Sequence, residues 1–198
     1  RDRTMSSELR VDQLNTVAGG TGNISITNGV KLTGAAGSIA APGQVIQTKS
    51  FVLTSTVSSN SSSFVDTGLE LAITPSSTSS KILITGFLNC SGSYFKSYII
   101  LLRDSTTLSI GDTASNRPRV YASTNPGDTG WDSYNVTAVP LNFLDSPNTT
   151  SSVTYKTQFR PYLNSASTAY VNRCASDRDN ANYDERSISV MTLQEIAQ

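Results

Sequence analysis

SVTYKTQFRP, residues 152–161, alternates without a break. Val153, Tyr155, Thr157 and Phe159 fall on one side of an extended chain, and Thr154, Lys156, Gln158 and Arg160 on the other. A period of two is the mark of a strand with one buried face. Working outward, the same reading recurs from Val45 to the end of the chain. Lys81–Cys90 and Ser97–Arg103 are apolar on both faces at many positions, as in strands held between two layers. Strands are expected over 45–57, 64–69, 71–73, 81–90, 97–103, 106–110, 134–144 with a break at Pro140, 152–161, 169–174 and 186–196. Polar turns such as Ser58–Ser63 and Ser76–Ser80 separate them. No segment keeps an apolar helical period. Roughly eight to ten short strands with turns between them make a β-sandwich or jelly roll.

The first 43 residues read differently. Leu9, Val11 and Leu14 are the apolar positions of Ser6–Leu14, which fits helix and strand equally. Ala18-Gly19-Gly20-Thr21-Gly22 is a break. Asn23–Thr27 alternates, Asn28-Gly29 is a strong hairpin turn, and Val30–Thr33 would return. A lone hairpin is too small to be stable in water. Ile24, Ile26, Val30 and Leu32, with Leu9, Val11 and Leu14, are therefore expected to be buried against copies of the chain or another protein. The domains expected are an anchoring arm and linker over 1–43 and a β-body over 44–198. Such a chain would dock by its N-terminus and display its C-terminus.

Composition narrows the function. Of 198 residues, 37% are hydrophobic and 15% charged, and the formal net charge is zero. No global field draws such a chain to nucleic acid or an anionic membrane. No apolar run nears the roughly 20 residues that span a bilayer, and nothing hydrophobic follows Arg1–Met5, so no secretory signal is expected. Asn-x-Ser/Thr sequons at Asn23, Asn60, Asn89, Asn135 and Asn148 are read as chance in a chain so rich in Ser and Thr. Cys90 and Cys174 fall in expected strands, where a buried thiol and a cross-strand disulfide both fit.

The chain has no histidine, which removes Ser-His-Asp and Cys-His catalysis and His-ligated metals. Asp104, Asp112, Asp128, Asp132 and Asp145 are candidates for a glycosidase pair, but all stand at strand ends or in loops, where Asp shapes turns. Asp177–Glu185 superficially resembles a calcium loop but has Ala181 and Asn182 where an EF-hand needs an oxygen ligand and Gly. A solvated turn is expected there, and no catalytic residue, metal or cofactor is assigned. The long irregular stretch Gly111–Ser133 holds or adjoins Arg117, Arg119, Tyr121, Trp131 and Tyr134. Aromatic and polar residues together suit sugar or protein recognition, while Trp131 and Tyr134 could equally start a strand and pack inward.

Residues 43–53 (GQVIQTKSFVL), 64–84 (FVDTGLELAITPSSTSSKILI), 99–104 (IILLRD) and the terminal SISVMTLQEIA resemble short virion proteins of tailed bacteriophages, of the marine and cyanobacterial kind. The similarity spans most of 6–110 and the last dozen residues; 111–182 lies outside it. It implies a homotrimer on the phage surface whose jelly-roll head is like those of tumour necrosis factor and the complement globular heads. In such heads the last strand lies near the three-fold axis, which points to Ile188, Val190 and Leu193. The partners implied are further copies of the chain and other virion proteins, such as a major capsid protein or tail components, with a host surface glycan as a further ligand. The arm is short and has no repeat shaft, which favours a capsid decoration or head fibre over a short tail fibre. A monomeric carbohydrate-binding module is the rival class.

Overall fold

The computed structural model describes residues 41–93, 96–124, 134–162, 166–179 and 182–198. They belong to the second of two units into which the chain divides, Ala36–Gln198. The arm positions Leu9, Val11, Leu14, Ile24, Ile26, Val30 and Leu32 lie outside the described residues, as does Trp131.

Eleven strands are present among the described residues: β1 (Val45–Leu53), β2 (Val57–Ser59), β3 (Val65–Ile73), β4 (Lys81–Gly92), β5 (Ser97–Arg103), β6 (Thr106–Leu108), β7 (Ala122–Ser123), β8 (Thr137–Asp145), β9 (Val153–Pro161), β10 (Ala169–Val171) and β11 (Ser189–Ile196). They form two antiparallel sheets. In the first, β1, β11, β4 and β8 lie side by side; in the second, β3, β9, β5 and β6 do, with β7 also on β5. The chain crosses between sheets in the order of a jelly roll. The alternation read in residues 152–161 holds: Val153, Tyr155, Thr157 and Phe159 are buried and Thr154, Lys156, Gln158 and Arg160 half-buried. With Leu69, Ile73, Ile82, Ile84, Leu88, Met191 and Leu193 they fill the space between the sheets.

Several boundaries differ from expectation, each for a local reason. β8 runs through Pro140 without a break, because β8 pairs only with β4 and an edge strand tolerates a missing N–H. The two expected strands at 64–73 are one, β3, whose register shifts between Asp66 and Glu70. Gly68 supplies the positive φ of +84° within that shift. The first strand stops at Leu53 and resumes as β2, because β2 pairs with β10 rather than β11.

β10 and β11 lie on the same flank of β4. Val171 faces Cys90 and Val190 faces Phe87, so the two are successive parts of one strand position. Residues 172–188 leave the sheet between them and return. Cys90 and Cys174 are both buried, and both are free thiols.

Gly43 N–H donates to Ala197 O at 2.8 Å and Ala197 N–H to Gln44 O at 2.9 Å. The chain therefore enters the sandwich beside Ala197. Ile196 faces Lys81, so β4 starts at this entry end. β4 has 12 residues, and at about 3.3 Å per residue it ends about 36 Å away.

Candidate functional site

Of the five residues expected to bind a ligand, Trp131 lies outside the described residues, and the other four have the following partners. Arg119 Nε donates to Gly111 O at 2.6 Å, and Arg117 N–H closes a turn on Ala114 O at 3.1 Å, so both are tied to their own loop. Tyr121 N–H bonds Ile99 O at 2.9 Å, and its hydroxyl accepts from Asn142 N–H at 2.9 Å. Its ring packs on the core, so Tyr121 fastens the long connection to the middle of β8. Tyr134 stands before the start of the same strand. The backbone between Thr137 and Asn142 alone spans about 17 Å.

Tyr134 belongs instead to the excursion 172–188. The Arg178 guanidinium lies 4.7 Å from the Tyr134 ring centroid and 5.9 Å from that of Tyr183. Asp184 accepts from Arg178 N–H at 2.7 Å and from Nη2 at 3.3 Å. The hydrogen bonds to Asp184, first among causes, raise the already high pKa of Arg178. Asp177 bridges Arg173 (2.9 Å) and Arg186 (2.7 Å). Asp177 and Asp184 are thus turned to arginines. Among the described residues no group of three metal-ligating side chains is close enough to hold an ion. Asp177, Asp179, Asp184 and Arg186 line an open cleft of about 320 Å³.

The base of the excursion is a polar knot. Asn172, fully buried, donates from Nδ2 to Leu53 O (2.8 Å) and Ser55 O (3.0 Å), and accepts from Ser189 Oγ at 2.6 Å. Asn172 is the first residue of the excursion and Ser189 the first after it, so this bond closes its neck. Sequence pattern alone did not mark Asn172; its signal is an Asn at a strand end, a residue type that accepts positive φ, here +59°.

Two glycosidase candidates have structural partners. Asp145 is buried, ion-paired to Arg103 Nη1 at 2.6 Å, and accepts from Tyr155 OH at 2.6 Å. Burial pushes the Tyr155 hydroxyl up, and the hydrogen bond to Asp145 adds to it. Asp104 Oδ1 accepts from Thr154 N–H at 2.9 Å in a left-handed turn position, φ +52°. Asp128 and Asp132 lie outside the described residues.

The outward face of the first sheet is banded. One row across it reads Val52, Val190, Phe87, Pro140; the next reads Ser50, Thr192, Thr85, Asn142; the third reads Thr48, Gln194, Leu83, Leu144. Val52 and Leu144 are each 47% exposed, and Ile188, bonded through its carbonyl to Asn89 Nδ2, is 44% exposed. Of the three residues expected at a symmetry axis, Ile188 is exposed and Val190 faces outward. Leu193 is fully buried between the sheets, because the odd positions of β11 point inward.

At the entry end, Glu195 is fully buried. It accepts from Gln47 Nε2 (2.6 Å), Ser76 N–H (2.7 Å) and Ser76 Oγ (2.6 Å). Burial alone would raise its pKa, but hydrogen bonds from Gln47 and Ser76 outweigh that and hold the carboxyl below its ordinary value.

No protein-family model matches the chain, and no curated protein matches its sequence. Among solved structures it is similar to the insecticidal delta-endotoxin Cry8Ea1 of Bacillus thuringiensis, at 15% identity and a TM-score of 0.37 over 70% of this chain and 19% of that one. It is similar to the structure of the infectious bursal disease virus Gt strain, at 11% identity and 0.35 over 85% and 43%. The VP2 subviral particle of infectious bursal disease virus gives 13% identity and 0.28 over 85% and 43%. The chain spans less than half the length of each. At such TM-scores neither a shared fold nor a shared role follows.

Proposed function

We propose that the protein is a non-enzymatic structural subunit of a virus particle of the tailed-bacteriophage type, working as a homotrimer. The observation that carries this reading is the apolar row Val52, Val190, Phe87 and Pro140, with Ile188 beside it, on the solvent side of a sheet. Apolar side chains aligned across four strands and flanked by a Ser/Thr row are the composition of an oligomer interface, apolar at its centre and polar around it. The occupant is the neighbouring copy of this chain around a three-fold axis. Residues 1–43 are the anchoring arm, and three arms together dock the trimer on other virion proteins by avidity. Capsid decoration or head fibre is the placement proposed, and short tail fibre the alternative. The sequence resemblance at 43–53, 64–84, 99–104 and 187–197 supports the virion assignment.

The test is the native mass by light scattering. A mass near three times 21.1 kDa is expected, falling to that of one chain in Val52→Asp/Val190→Asp. A monomeric wild type sinks the trimer. A variant that stays trimeric with an intact sandwich sinks this interface.

A further inference from the structure

The entry end of the sandwich holds a buried charge that the fold leaves without a counter-ion. Gln47, Glu195, Ile82 and Asp145 stand in one row across β1, β11, β4 and β8. Ile82, Glu195 and Asp145 are all buried, so two carboxylates flank Ile82. Asp145 has its cation, Arg103 Nη1 at 2.6 Å. Among the described residues Glu195 has none: the groups that bond it, Gln47 Nε2 and the N–H and Oγ of Ser76, are neutral. Asp66, Asp177 and Asp184 are ion-paired like Asp145.

A cavity of about 270 Å³ opens beside Glu195, lined by Ser76, Ser77, Ser79 and Ser80 of the β3–β4 connection, with Ile46 and Gln198. Its polar groups are committed in one direction. Ser76 Oγ gives its proton to Glu195 Oε1 at 2.6 Å, which leaves its lone pairs as acceptors. Gln198 Nε2 donates to Ala197 O at 2.8 Å, which leaves Oε1 as an acceptor. The Ser77 and Ser79 hydroxyls bond each other at 2.9 Å. Ser80 is 1% exposed, and its hydroxyl has no hydrogen-bond partner among the described residues. Buried hydroxyls are ordinarily bonded, so this one is matched by a group from outside. The wall thus offers acceptors, with a negative charge one hydroxyl behind it. A cation on Ser76 Oγ stands within about 5.5 Å of the Glu195 carboxylate, two hydrogen bonds end to end. Ile46, half-buried, adds an apolar side. The volume lies below the roughly 300–1,000 Å³ of sites for drug-sized ligands and suits a group the size of one side chain.

We propose that this cavity takes the alkylammonium group of a lysine side chain from a partner protein. The ammonium, with three donors and no acceptor, bonds Ser76 Oγ, Ser80 Oγ and Gln198 Oε1, and its methylenes lie along Ile46. Separate single acceptors suit a compact ammonium better than the planar fork of a guanidinium. A free diamine fits less well, because its second ammonium would be set against Ile46, which offers no acceptor. The site is independent of the oligomeric state and of the virion assignment. It gives the entry end a means of selecting a basic side chain on a neighbouring protein.

The experiment titrates the isotope-labelled full chain with Nα-acetyl-lysinamide and follows the backbone amides by NMR. The controls are neutral Nα-acetyl-norleucinamide, tetramethylammonium, which is charged but has no N–H donor, and putrescine. Saturable shifts at Ser76, Ser77, Ser79 and Ser80 are expected with the lysinamide and absent with the first two controls, and putrescine should bind no tighter. Ser80→Ala should weaken lysinamide binding by about tenfold, the loss of one hydrogen bond to a charged group. Its Tm should match or exceed that of the wild type, since the hydroxyl removed has no partner within the fold. No saturable shift at these serines overturns the proposal, as does equal binding of the norleucinamide or binding unchanged in Ser80→Ala. A Tm lower by more than about 4 °C in that variant would mean that the hydroxyl serves the fold, and overturns it too. Putrescine binding tenfold tighter than the lysinamide overturns the assignment to a protein side chain.

Discussion

Replacing Asn172 by Ala tests whether the neck of the 172–188 excursion is a keystone of the fold. The side chain makes three hydrogen bonds, to Leu53 O, Ser55 O and from Ser189 Oγ, and the residue is fully buried. Each is worth about 1 kcal/mol net. Two backbone carbonyls and a hydroxyl lose these partners, so roughly 3 kcal/mol is a floor. The left-handed φ of +59° adds a further cost of about 1 kcal/mol for Ala. The total of roughly 4 kcal/mol lowers Tm by about 8–16 °C in a fold of this size. Asn172→Gly separates the two causes, because it loses the same hydrogen bonds but accepts the φ, and should recover about 1 kcal/mol of the loss. Thermal melting reads the global effect, and limited trypsin digestion at Arg173, Arg178 and Arg186 reads the loop. A Tm within about 2 °C of wild type for Asn172→Ala, with no faster cleavage, would refute the keystone role.

Two further variants probe the first sheet. At Gly86 (φ +142°) an added Cβ would stand 2.0 Å from Val190 O, so Gly86→Ala must push β4 and β11 apart. A loss of roughly 3 kcal/mol or more is expected in urea unfolding, and an unchanged midpoint would contradict the close approach. Glu195→Gln sets an amide N–H₂ against the Gln47 Nε2 donor and should cost about 1–3 kcal/mol at pH 7. Because the folded pKa of Glu195 lies below its ordinary value of 4.5, the wild type holds this contribution above that value. It loses it as pH falls through the lower folded one. The variant should show a flatter acid limb in melts from pH 6 to 2, and parallel limbs would refute the role.

Period-two alternation in 152–161 and the doubly apolar run at 81–90 were enough to place a two-layer sandwich, because a strand's side-chain period follows from backbone geometry alone. The same local signal could not say which face a residue of β11 takes. Ile188, Val190 and Leu193 are alike in polarity, but 193 differs in parity from the other two, and only the register with β4 shows that odd positions face the core. Pro140 read as a break because its missing N–H matters in a strand paired on both sides; β8 is paired on one.

The ligand residues show the same division. Aromatics and arginines around 111–134 suggested a site by proximity in sequence, yet Tyr121 bonds Asn142 of β8 while Tyr134 meets Arg178. Ile46, Ser76, Ser80 and Gln198 come from segments far apart in the chain, and no local pattern announces that the loop after β3 meets the end of β11. Local alternation, turn chemistry and the absence of histidine were thus decided by the sequence itself. The crossing order of the strands, the parity of each face, the burial of Glu195 and Asn172 and the meeting of the loop after β3 with the end of β11 were decided by tertiary structure. These depend on long-range pairing, whose free energy appears only once both strands and the layer beneath them are in place.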